Sequence, residues 1–190
     1  LMARALAGRG VLRLCRGSLS LADEDLREAV KAFALVGDRS SMWQSLSNLG
    51  DILRRKGAFT ESLGLLEEEL SAVREGGNWI RQALFVLNLA ETEVELHRLG
   101  RARERIEGLT GDMDFQEHLH MRAAVSLLQG RIALTSGDPA LAANSLEPLV
   151  AECREAGMHV VTAQLMALLG EALVKTDRQS EGMELFSESF

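Results

Sequence analysis

Few residues in this chain have the types and spacings that could do chemistry, and each has a competing structural use. His118 and His120 are two apart. On a helix, residues two apart point to nearly opposite sides, so the pair does not readily share a metal. Glu93 and His97 have the spacing of one helix face but no third ligand nearby. Asp112, Asp114 and Glu117 lack the glycine and the closing glutamate of a calcium loop. Acids in that pattern suit the positive end of a helix instead. Gly8-Arg9-Gly10 begins a dinucleotide-like pattern, but Arg13 stands where the third glycine belongs. The chain has no Gly-x-Ser-x-Gly elbow, and none of its three lysines follows phosphate-loop glycines. Cys15 and Cys153 are too few for a disulfide framework and read as buried, reduced thiols. These residues predict no catalytic group, no metal and no cofactor: the chain is not expected to be an enzyme.

The elements that carry these residues follow from composition. Of 190 residues, 46% are hydrophobic and 4% aromatic, with no tyrosine and two prolines. Abundant Leu, Ala, Glu and Arg with few β-branched residues argues for helices and against a sheet. The net charge of −7 is wrong for direct nucleic-acid binding, which needs excess cation to displace counterions. The apolar run from Leu165 to Val174 is interrupted by Gly170 and Glu171, so no membrane span is expected. The expected setting is cytoplasmic. The first 22 residues carry Arg4, Arg9, Arg13 and Arg16 and no acid. That pattern fits a transit peptide or a first helix, and the repeat favours the helix. The chain begins with Leu1, which suggests a fragment of a longer protein.

Glycine sets the period. Gly10, Gly50, Gly130 and Gly170 are forty apart, with Ala90 in the missing slot. A second series is Gly17, Gly57 and Gly137, with Asp177 last, and a third is Gly37, Gly77 and Gly157. Within a period, Leu46, Leu49, Ile52 and Leu53 recur at helical steps, as do Leu63, Leu66, Leu70 and Val73. Each unit is therefore two helices, with expected bounds of about 1–37, 38–77, 78–111, 112–157 and 158–190. Asp38, Asn78 and Asp138 are placed to cap helices, and Pro139 suits a first helical position. The mid-helix glycines imply close approach of the paired helix, since each costs about 0.8–1 kcal/mol against alanine.

A helix pair with Leu-Gly in its first helix and a turn glycine seven residues on resembles the tetratricopeptide repeat. The small position of the second helix is matched by Ala22, Ser62, Ala142 and Gly182, and the large one by Leu26, Leu66, Leu146 and Phe186. The resemblance covers the whole chain. It implies an all-α, right-handed α-α superhelix, a TPR-like solenoid of about five helix pairs forming a single domain. The 40-residue length is similar to the C-terminal arrays of bacterial LuxR-type and signal-transduction NTPase regulators. By position in the family, the concave face would present Gln44, Ser47, Asn48, Asp51 and Arg55, then Leu84, Leu87, Asn88, Glu91 and Glu95. Leu127, Arg131 and Glu171 would continue it, with Ala124, Leu128, Gln164, Leu168 and Lys175 beside them. Asn48 and Asn88 match the asparagine with which many such arrays hold a peptide backbone.

The resemblance thus implies a protein- or peptide-binding scaffold within a regulator. An alternative is a sensing domain that changes curvature on binding a small ligand or peptide. Self-association through the solenoid ends is a further expectation. Some positions depart from the pattern. Arg9 and Arg13 occupy expected core positions, and Pro148 should kink or break its helix. In the third unit, Gly100 is read as a late turn glycine, the second helix as ending near 108–111, and the following helix as running on from Asp112.

Overall fold

The computed structural model describes residues 1–111 and 113–188. All regular structure among them is α-helical. The order is α1 (Met2–Cys15), α2 (Leu19–Leu35), α3 (Arg39–Arg55), α4 (Phe59–Glu75), α5 (Trp79–Glu95), α6 (Leu99–Thr110), α7 (Met113–Glu117), α8 (Leu119–Thr135), α9 (Pro139–Glu155), α10 (His159–Val174) and α11 (Gln179–Glu188). The helices form two compact units, Leu1–Arg98 and Leu99–Phe190.

In the first unit, α1 packs on α2, α3 on α4, and each pair on the next. Leu26, Ile52, Leu66, Phe33 and Phe85 are among its buried side chains. The second unit packs α8 on α9 and α10 on α11. Its core includes Leu146, Leu149, Cys153, Leu165, Leu169 and Leu173. The mid-helix glycines do what their cost implied. A Cβ on Gly50 would lie 2.8 Å from Leu66, and one on Gly130 would lie 2.9 Å from Leu146. Asp38, Asn78 and Asp138 accept from the backbone N–H three residues on, at 3.1, 2.9 and 2.9 Å.

The turn positions 17, 37, 57, 77, 137 and 157 are glycines at positive φ, a left-handed geometry that closes each helix with little strain. At the equivalent position in the third pair stands His97, at φ 55°. That corrects the reading of Gly100, which lies inside α6 and closes no turn.

Three further expectations are corrected. Pro148 does not break its helix: α9 runs unbroken from Pro139 to Glu155. Pro148 and Asn144 are both exposed, so water can satisfy the Asn144 carbonyl that loses its donor. Cys15 is exposed, whereas Cys153 is buried as expected, and both are free thiols. Burial pushes the Cys153 thiol above its ordinary pKa. Finally, the second helix of the third pair ends at Thr110, near the expected place, but no long helix runs on from 112. The short α7 intervenes, and α8 opens only at Leu119. Asp112 and the side chain of Asp114 lie outside the described residues.

Arg9 and Arg13 occupy positions equivalent to Leu49 and Leu53 because α2 carries Asp25 opposite them. Asp25 is 4% exposed and accepts from both guanidinium groups at 2.7 Å. Hydrogen bonding from Arg9, opposed by burial and helped by the charges of Arg13 and Arg9, holds its carboxyl below the usual range.

Candidate interaction surface

The expected partner-binding residues of the first unit lie on α3 and α5, which pack side by side. Their exposure divides them. Gln44, Arg55 and Glu95 are exposed, while Asn48, Asp51, Leu84, Asn88 and Glu91 are half-buried. Ser47 and Leu87 are buried and belong to the packing.

The two asparagines differ in what they hold. Asn88 donates from Nδ2 to the backbone oxygen of Ser47 and to its hydroxyl, both at 2.9 Å. Its amide therefore ties α5 to α3. Asn48 makes no such bond among the described residues. Of the two peptide-holding rungs that the resemblance implied, one is thus committed to packing and one is open. A carboxamide can make both a donor and an acceptor bond, so the open rung can still engage a main-chain amide.

One turn along, the charges form a network. Arg54 Nη2 sits 2.5 Å from Asp51 Oδ1 and 2.8 Å from Glu91 Oε2. Its Nη1 sits 3.8 Å from Glu95. Arg55 Nε pairs with the other Asp51 oxygen at 2.9 Å. Arg54 is 15% exposed and its Nε has no hydrogen-bond partner among the described residues. Sequence reasoning named every member of this network except Arg54, its centre. The signal was present: Asp51 and Glu91 share a register forty apart, and Arg54 lies three residues beyond Asp51.

In the second unit, Leu127 and Arg131 are half-buried on α8, and Ala124 lies beside them. Leu128 is buried in the core. Glu171 on α10 is exposed and pairs with Lys175 at 2.6 Å, and Gln164 is exposed on the same helix. In the Glu67-Glu68-Glu69 run of α4, Glu69 accepts from Trp43 Nε1 at 3.3 Å. Arg39 and Arg81 lie over that indole, 5.1 and 5.5 Å from its centroid. No group of three metal-ligating side chains occurs among the described residues. No described helix is long and apolar enough to cross a membrane.

Paired helices on a forty-residue period, with left-handed glycines at six of the turns, define a helical-repeat fold. Residues 14–76, which span the end of α1 to the end of α4, match the family model described as tetratricopeptide repeat. The chain has an all-α, TPR-like helical-repeat fold. The crystal structure of BtubC (BKLC) from P. vanneervenii is similar, with a TM-score of 0.72 at 19% identity. That match covers 95% of this chain and 75% of the other. A Podosopora anserina chain of nearly identical TPR-like repeats, described as kinesin light chain, gives a TM-score of 0.70 at 18% identity. It covers 98% and 92% of the two chains. No curated protein matches the sequence. Tetratricopeptide repeat proteins generally act as protein-interaction scaffolds rather than catalysts.

Proposed function

We propose that this chain is a protein- or peptide-binding scaffold that uses the first-helix face of its pairs, in the cytoplasm and within a longer bacterial regulator. The observation that carries this reading is the α3–α5 surface. Arg54 and Asn88 hold two helices in fixed register, and they leave Gln44, Asn48, Arg55 and Glu95 accessible around the half-buried Leu84. A rigid platform of mixed polarity loses little entropy on binding an amphipathic helix. Leu127, Arg131 and Glu171 carry the same face in the second unit. Self-association through apolar residues exposed on α1 and α11, such as Leu12 and Met183, belongs to the same proposal. It requires a mass that rises with concentration in sedimentation.

The test of the surface is selection of helix-forming peptides from a displayed library. Asn48→Lys and Arg55→Glu should abolish binding of the selected peptides, and Glu68→Lys on α4 should leave it intact. Peptides indifferent to the first two changes would sink the reading.

A second reading, a sensing domain for a small ligand, is favoured by one observation. The second helix of the third pair ends early, at Thr110, and forms one wall of a cavity.

A further inference from the structure

That cavity lies wholly within Leu99–Phe190, has a volume of about 230 Å³, and is walled by α6, α8 and α9. Ile106, Ile132, Ala133 and Leu141 form its apolar part. Leu141 is 52% exposed, a large aliphatic side chain that its own fold leaves uncovered. Arg103 and Glu107 stand over the cavity from α6. Neither makes an ion pair among the described residues. Arg103 donates to the Ser136 hydroxyl at 2.7 Å, not to an acid. Arginine four residues before glutamate is the weaker order for a pair along a helix. One cation and one anion, a turn apart, therefore flank an apolar recess.

Size and charge select the occupant. Typical ligand pockets run from about 300 to 1,000 Å³, so this one takes a small molecule. A nucleotide brings several negative charges against one arginine and one opposing glutamate. A fatty acid has no use for Glu107. We propose that the cavity binds a free apolar amino acid, with its carboxylate on Arg103, its ammonium on Glu107 and its side chain against Ile106, Ile132, Ala133 and Leu141. The proposal deepens the sensing reading and rests on it. It is independent of the α3–α5 surface. It is also separate from Leu127 and Arg131, which lie on the opposite side of α8 from Ile132 and Ala133.

Calorimetric titration of the intact chain tests it, with L-leucine, L-isoleucine, L-methionine and L-phenylalanine as probes. At least one should saturate the site with a Kd of roughly 1 mM or tighter. Two analogues of leucine, 4-methylpentanoate without the ammonium and 3-methylbutylamine without the carboxylate, should each bind about tenfold more weakly or worse. Arg103→Gln and Glu107→Gln should each weaken the amino acid by a similar factor, and Asn48→Lys should not. Both positions are exposed, so helical content should be unchanged by circular dichroism. If a variant unfolds, the analogue comparison on the parent chain still decides. The proposal is overturned if none of the four titrates, if either analogue matches leucine, or if both folded variants bind as the parent does. Equal binding of leucinamide or of a peptide with N-terminal leucine would also overturn it, because the site would then read a peptide end.

Discussion

At the scale of the residue, the same amino acid has opposite consequences in neighbouring helices. Gly50 and Gly64 are both helix-interior glycines. A methyl on Gly50 meets three side-chain atoms of fully buried Leu66 at 2.8–2.9 Å, whereas one on Gly64 meets nothing within 4 Å. Gly50→Ala should therefore cost about 1–3 kcal/mol through overpacking. Gly64→Ala should gain up to about 1 kcal/mol through helix propensity. Urea denaturation of the two variants checks the signs. His97 gives a third case. A non-glycine residue in the left-handed region costs about 1–2 kcal/mol, and glycine's greater freedom when unfolded offsets part of that. His97→Gly should raise the melting temperature modestly, and a lowered one would contradict the strain. The glycine periods were legible in the sequence because backbone geometry repeats with them. His97 sits on the same period but was read only as a possible ligand beside Glu93, because a histidine in a glycine slot carries no compositional mark of a turn.

At the scale of the element, polar side chains decide how helices seat on one another. Asn88→Ala removes two bonds between α5 and α3 and should cost about 1 kcal/mol. Asn48→Ala should leave stability unchanged in the same denaturation experiment. A binding loss in the first variant would thus mix packing with recognition, and only the second isolates recognition. Asp25 makes the α1–α2 pairing sensitive to acid. Its carboxyl is held below the ordinary aspartate value of about 3.9. The stability it contributes is present above that value and is lost as pH falls through the lower folded one. Asp25→Asn should therefore melt below the parent at neutral pH, with the gap narrowing in acid. A gap that stayed constant from pH 7 to about 3 would exclude the ion pairs as its source. Arg9 and Arg13 were visible in the sequence as misfits in a core pattern. Their partner was not, since Asp25 on a polar stretch of α2 looks like any solvated acid until the helices are paired. Arg54 was missed for the same reason: its three carboxylate partners, Asp51, Glu91 and Glu95, come from two helices.

At the scale of the whole molecule, each compact unit has its own buried residues and its own helix pairing. Residues 1–98 expressed alone should show helical circular dichroism and a cooperative melt. A disordered fragment would mean that its helices depend on the rest of the chain. The third pair adds a consequence of a different kind. α3, α5, α8 and α10 open at Arg39, Trp79, Leu119 and His159, forty residues apart throughout. The break after α6 and the short α7 fit inside that interval without adding or removing a residue. The stretch 99–118 is therefore a cassette in frame with 59–78. An exchange in which the intact α4 stretch stood in for the broken one would leave every downstream helix at its present number. Such a chimera would put the leucine of position 63 where Arg103 stands on the cavity wall while leaving α8 to α11 unaltered in sequence, so the chain carries within itself the blank against which its own irregularity can be measured.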